Sequence, residues 1–235
     1  MHAAKGRVVE ADWGRAFLDP DIPSVHDANF LWADPDADGA EVARHADRLL
    51  GGAGMEHRRI LVAEPTGLDV PGYARAVHVF LALEGEPPEP RVAVEVAGIE
   101  DVLPAQERYL RTDPGNTWAR DEAVRAQMLA HHAAEGRSVD EQLHVVRDRG
   151  EVVAWAKLWR KDAVAQIEDV VCLASHRGRG YGRAVVCSAA RAARDAELVF
   201  IVAEEDDWPV GLYRRLGFAE IGRMRVLTRQ APTGR

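Results

Sequence analysis

The segment Ile167-Glu168-Asp169-Val170-Val171-Cys172-Leu173-Ala174-Ser175-His176-Arg177-Gly178-Arg179-Gly180-Tyr181-Gly182 holds the residue types and spacing that point most directly to chemistry. An apolar stretch of strand length runs into a glycine-rich loop, and a helical pattern follows at once from Arg183. Gly178, Gly180 and Gly182 can take backbone angles closed to other residues and let the main chain approach a ligand closely. The free N–H groups opening the following helix, with its dipole, favour an anion such as a pyrophosphate. Arg177, Arg179 and Arg183 add positive charge. A tight strand-to-helix turn with solvated arginines fits the same residues. A Walker loop is excluded, because no Gly-Lys-Ser/Thr follows. A dinucleotide fold is disfavoured: the strands ahead of the loop read as a hairpin rather than a βαβ unit, and no acidic residue closes a second strand at the usual distance.

Arg177-Gly178-Arg179-Gly180-Tyr181-Gly182 resembles the R/Q-x-x-G-x-G/A signature of the GNAT superfamily of N-acetyltransferases. The preceding Val170-Val171-Cys172 is similar to the strand with which that family holds pantetheine through backbone hydrogen bonds. Leu212-Tyr213-Arg214-Arg215-Leu216-Gly217-Phe218 resembles the family's L-Y-x-x-x-G-F ending. Loop and ending stand in the family's order, and the resemblance covers about residues 92–229. It implies acetyl-CoA as acyl donor, no metal, and a small-molecule or peptide amine as acceptor. The implied donor-binding residues are Val170, Val171, Cys172, Arg177, Gly178, Arg179, Gly180, Tyr181, Gly182, Arg183 and Asp206. At the last of these, seven residues before the tyrosine, the family often carries asparagine. Ala174 stands where proline is frequent.

Acetyl transfer to an amine needs a deprotonated amine, a polarised carbonyl and a proton for the departing thiolate. A carboxylate can take the first proton, and backbone N–H groups can stabilise the oxyanion. Glu168 is the candidate base, two residues before the donor-holding segment. Strand alternation would put Gln166, Glu168, Val170 and Cys172 on one face and Ile167, Asp169 and Val171 on the other. A carboxylate inside a strand is costly unless paired, so a structural salt bridge is the competing reading. Asp169 is the substitute base if the register slips by one, and Glu204 and Glu205 are further alternatives. Tyr213 is the candidate acid, with a packing role as its competitor.

These residues need a frame. After the proline-rich stretch Glu84 to Pro90, the pattern predicts a strand over 91–96, helices over 102–110 and 121–135, and a hairpin of 143–146 with 152–158. A strand over 165–173, a helix over 183–195, a strand over 198–203, a helix over 209–216 and a strand within 219–227 complete it. The fold class is α/β (α+β), one GNAT-like central mixed β-sheet flanked by helices. Asp206-Asp207-Trp208-Pro209 predicts an aspartate cap with proline in the first turn. His131-His132 reads as a solvated helix end, and Trp155 and Trp159 share one hairpin face as core or cleft wall.

Upstream, strands are expected over 25–32, 59–63 and 77–83, with a helix over 40–50. The stretch 84–90 divides the chain into an N-terminal α/β extension, residues 1–90, read as a degenerate GNAT-like unit, and a GNAT domain, residues 91–235. Charge supports the division: 16 acidic against 9 basic residues over 1–91, then 22 against 21 over 92–235. The net charge of -8 disfavours nucleic acid as a partner. No apolar stretch is long enough to span a membrane, the start lacks the apolar run of a secretion signal, and Cys172 and Cys187 form no CxxC pair. A cytoplasmic enzyme is expected, of open oligomeric state. The alternatives are a mycothiol-synthase-like acetyltransferase or a non-catalytic CoA-binding regulatory protein.

Overall fold

A computed structural model describes residues 6–230. The chain divides into two units: residues 1–79 with 204–206 and 222–235, and residues 80–203 with 207–221.

The first unit opens with a hairpin of β1 (Arg7–Ala11) and β2 (Gly14–Leu18), which has no counterpart in the sequence reading. β1 is largely exposed, so its residues carry no apolar alternation to signal a strand. Gly14 is obligatory where it sits, because a Cβ there would stand 2.1 Å from the Trp32 carbonyl oxygen. β3 (Phe30–Ala33) begins later than expected. Fully buried Asn29 holds the preceding turn by donating to the carbonyls of Ile22 and Val25, each at 3.0 Å, and accepting from the Asp19 N–H at 2.7 Å. These bonds take residues 25–29 out of the sheet.

α1 (Gly39–Ala46) is capped by Asp38, whose carboxylate accepts from the Glu41 N–H at 2.7 Å. β4 (His57–Ala63) runs parallel to β3, and the first residues of β5 (Ala74–Leu83) also belong here. Trp13, Ala16, Leu31, Val42, Leu50, Ile60 and Val62 form the core.

In the second unit, β6 (Glu95–Ala97) is shorter than the strand expected over 91–96, since residues 91–94 pair with nothing in the ladder. α2 (Ile99–Thr112) and α3 (Glu122–His132) follow, the latter capped by Asp121. β7 (Asp140–Asp148) and β8 (Glu151–Lys161) make the hairpin, turning through Arg149 and Gly150, both left-handed, as a two-residue hairpin turn requires. β9 (Val164–Cys172) pairs antiparallel with β8. Beyond it come α4 (Tyr181–Ala192), β10 (Leu198–Glu204), α5 (Pro209–Arg215) and β11 (Phe218–Gln230). β11 starts in the second unit and ends in the first, where it pairs antiparallel with β4.

Helices flank this sheet on both faces. Trp155 of β8 meets the Tyr109 ring of α2 edge-on at 6.1 Å, while His144 of β7 contacts Ser188 of α4 at 3.0 Å from the opposite face. The class is the mixed α+β one expected from the element order. β8 is buried along most of its length, which matches its apolar sequence, yet it contains Lys157 with no solvent exposure.

Candidate functional site

The site is built where two parallel strands part. β9 and β10 pair over Val164–Ile167 and Leu198–Ile201, after which the ladder ends although both strands continue. The continuing stretch of β9 contains Glu168, Val170, Val171 and Cys172.

Its geometry departs from simple alternation. Trp155 opposes Val171 and Lys157 opposes Glu168, so Asp169 and Val170 together face the single residue Ala156. This is a β-bulge, and Asp169 takes a left-handed φ of 48° within it. The two-face division expected of residues 166–172 therefore holds only as far as the bulge. The Glu168 carboxylate accepts from the Gln166 side-chain amide and, at 3.4 Å, from the Asp169 N–H.

From Cys172 the chain turns through residues 174–176 into the glycine loop. Gly178 and Gly180 adopt φ of 78° and 81°, where other residues are strained, and Gly180 is the N-cap of α4. No side chain caps α4, and a Cβ built on Gly178, Gly180 or Gly182 meets nothing within 4 Å. An uncapped helix start facing open space is what a pyrophosphate group would fit. The Cys172 thiol lies at the Gly182 amide; burial pushes its pKa up, opposed by Arg177, that amide and Arg179.

The arginines of the loop are engaged within the unit. Arg177 donates to the Cys172 carbonyl at 3.1 Å and pairs with Asp113 just after α2. Arg179 approaches Asp148 at 3.5 Å, and Arg183 reaches the Glu89 carbonyl at 3.5 Å. Tyr181 stacks beside the His176 ring at 6.4 Å.

Tyr213 sits in α5 and is 5% exposed. Burial raises its phenol well above the ordinary value of 10.0, and the Glu168 and Asp207 carboxylates push it further in the same direction. The two candidate catalytic groups are thus brought within electrostatic reach of one another. The Tyr213 ring packs 6.2 Å from that of Phe218. Gly217 between them has φ of 91°, and a Cβ there would stand 3.3 Å from the Glu84 carbonyl oxygen. The L-Y-x-x-x-G-F ending is therefore a packed corner whose glycine is sterically required.

The expected aspartate cap on α5 is not formed. Trp208 is the N-cap and no side chain caps the helix. Asp207 bonds instead to the Trp208 N–H at 2.8 Å, and its carbonyl accepts from the Val210 N–H. Proline at the first helical position has no N–H to offer a cap, which removes one reason for the aspartate to swing inward. Asp206 is exposed in the turn before α5.

Beside the bulge lies a buried polar cluster that the sequence reading passed over. His131 and His132, expected to be solvated, are 8% and 9% exposed. His131 Nε2 and His132 Nδ1 lie 3.1 Å and 3.0 Å from the Glu135 carboxylate, which also accepts from Lys157. Trp159 Nε1 donates to Glu141 at 2.6 Å. A lone lysine inside the apolar run Val152 to Leu158 was the available signal, since a buried ammonium demands carboxylate partners.

Residues 103–218 match the family model described as the acetyltransferase (GNAT) family. These residues are a GNAT acetyltransferase domain. The chain accordingly holds an acyltransferase domain, of a family that generally draws its acetyl group from acetyl-CoA. Solved structures share the GNAT-like fold. A GCN5-related N-acetyltransferase from Kribbella flavida is 20% identical, with 97% of this chain and 90% of that one covered at a TM-score of 0.67. A functionally unknown conserved protein from Staphylococcus epidermidis ATCC 12228 is 14% identical, with 97% and 96% covered at 0.73. The tandem GNAT protein from the clavulanic acid biosynthesis pathway is 17% identical, with 83% and 70% covered at 0.51. No curated protein matches the chain. Among the described residues, no helix is long and apolar enough to cross a membrane.

Proposed function

We propose that this GNAT acetyltransferase moves an acetyl group from acetyl-CoA to a primary amine by direct attack. The observation carrying this reading is the parting of β9 and β10 beside an uncapped α4 N-terminus whose loop glycines face open space. Acetyl-CoA supplies the activated thioester. The backbone of Val170, Val171 and Cys172 holds the pantetheine arm, and the α4 N-terminus receives the pyrophosphate between Gly178, Gly180, Tyr181, Gly182 and Arg183. Arg177 and Arg179 hold the loop in shape through Asp113 and Asp148 and keep positive charge beside it.

Glu168 accepts the proton of the incoming ammonium, directly or through water. Tyr213 gives a proton to the departing sulfur. Its raised pKa keeps the phenol protonated at neutral pH, and burial shields that proton from exchange with bulk water. Proximity of a carboxylate to a buried phenol favours this division of labour over a non-catalytic binding role.

The same reading keeps residues 1–90 as an N-terminal extension, a degenerate GNAT-like unit without a donor site, ahead of the GNAT domain of residues 91–235. Gly51 closes the helical turn Asp47–Gly51, and Gly54, left-handed at φ 85°, lies just past its end, the arrangement of a helix stop rather than of a strand-to-helix cradle.

Calorimetric titration with acetyl-CoA, followed by thioester-cleavage assays over a panel of small amines and peptides, tests the proposal. One donor per chain with amine-dependent CoA release is the expected result. Absence of acetyl-CoA binding to folded protein would overturn it, and two donors per chain would overturn the assignment of the extension.

A further inference from the structure

Asp169 occupies an unfavourable backbone conformation for a reason visible around it. An L-residue with φ of 48° is strained relative to glycine, even though aspartate tolerates the region better than most. Such strain persists only where the surroundings over-determine it. Here the Asp169 carboxylate accepts from Trp155 Nε1 at 3.1 Å and stands 3.7 Å from Lys157 Nζ and 3.8 Å from His132 Nδ1. Trp155 and Lys157 have no solvent exposure and lie on the same face of β8. Glu135 also accepts from Lys157 and is itself held by His131 and His132.

The ammonium stays charged in this setting. Burial alone would lower the Lys157 pKa, but Asp169 and then Glu135 outweigh it and raise it above 10.5. On Glu135, burial is likewise opposed by His131, His132 and Lys157, which hold it well below the usual carboxylate value. Glu141 acts on Lys157 in the same direction, and His132 Nδ1 lies 3.3 Å from its Nζ.

We infer that Trp155 and Lys157 are positioning residues: they clamp Asp169 in the left-handed bulge and thereby fix the direction of the Val170–Cys172 backbone where β9 leaves β10. Asp169 is then the anchor of the bulge rather than an alternative base, because its carboxylate is already committed to an indole N–H and an ammonium. The assignment rests on reading residues 170–172 as the donor-holding segment, and it adds the residues that give that segment its shape.

Two substitutions at one position separate conformation from chemistry. Asp169→Ala removes the tether and resists a positive φ, whereas Asp169→Gly removes the same carboxylate but adopts that φ freely. Amide hydrogen exchange at residues 170–172, measured without ligand, should be about tenfold or more faster in the alanine variant and return toward wild type in the glycine variant. Trp155→Phe, which keeps the ring but loses the N–H, should lie between them. Acetyl-CoA affinity should follow the same order, and the pH profile of kcat should keep its shape in Asp169→Gly.

Equal exchange in wild type and Asp169→Ala would overturn the clamp. So would equal impairment of the alanine and glycine variants, or loss of one limb of the pH profile in both. If the exchange order holds while wild-type protein fails to bind acetyl-CoA, the clamp stands and the donor reading falls. Thermal melts show that each variant compared is folded.

Discussion

Arg177 of the glycine loop is paired with Asp113, 64 residues earlier in the chain, and the Asp113 carboxylate is only 8% exposed. With a second bond to the Cys172 carbonyl, the arginine ties the loop both to the end of α2 and to the end of β9. Asp113→Asn therefore tests whether Arg177 acts as a brace. Loosening the loop should weaken acetyl-CoA binding about three- to tenfold, the range of one lost charge-assisted bond. If Arg177 were instead a direct phosphate ligand held back by a competing anion, removing that anion would tighten binding. Calorimetry reads the sign.

Tyr213→Phe should lower turnover by ~10²- to 10⁴-fold with little change in acetyl-CoA affinity, because proton donation to the leaving group matters only in the transition state. The ring contact with Phe218 survives the substitution, so the melting temperature should hardly move. Wild-type turnover in the phenylalanine variant would reduce Tyr213 to a packing residue.

Gly180 is a poor place to block the phosphate site, since any side chain there is strained by its φ of 81°. Gly182 lies in the first turn of α4 without a positive φ and with open space around a Cβ. Gly182→Val should leave the melt close to wild type and lower acetyl-CoA affinity at least tenfold, by occluding the helix start. Unchanged affinity in this folded variant would remove the loop from the donor site.

Acid should destabilise the protein in two separate pH windows. Burial holds His144 near 4, and burial, then His57 and Arg59, hold His26 near 4, against 6.5 for a free imidazole. The unfolded chain binds protons more readily at these positions. Their stabilisation is complete above about 6.5 and is lost as pH falls toward 4, to an upper bound of about 3 kcal/mol for His144. Glu135 has a lowered pKa, so its contribution fails only below about 4.5. Chemical denaturation at pH 7.5, 5.5 and 4.5 should show a shallower decline in His144→Gln than in wild type over the upper window; identical slopes would refute the assignment.

Lys157→Met should cost about 3–5 kcal/mol, because it strands the Glu135 and Asp169 carboxylates without their buried partner. Adding Glu135→Gln should recover part of that loss. A single variant as stable as wild type in urea would show that the ammonium is dispensable to the fold.

Much of the local backbone arrangement is legible in the sequence. The loop glycines, the strand running into them and the Tyr213–Phe218 corner are local patterns, and local backbone sterics dictate them. What escaped was set by distant partners. Asn29 cancels part of a strand by bonding to Ile22, Val25 and Asp19, and nothing in its neighbours announces this. His131 and His132 look like ordinary helix-end residues until Glu135 and Lys157 are placed beside them. The bulge at Asp169 follows from cross-strand bonding to β8, so a period-two reading of β9 alone could not find it.

β11 joins the first unit only through residues 222–230, although the rest of that unit lies almost wholly within the first 79 residues. During synthesis the early segment must therefore wait for a pairing strand that emerges 143 residues later, about 7–30 s at ordinary elongation rates. β4 has an exposed ladder edge throughout that interval, the kind of surface that chaperones shield and that recruits other chains. Genetic truncation at the proline-rich stretch would make the interval permanent. Expression of residues 1–90 alone should accordingly yield aggregate, while co-expression with the remainder offers the missing strand in trans.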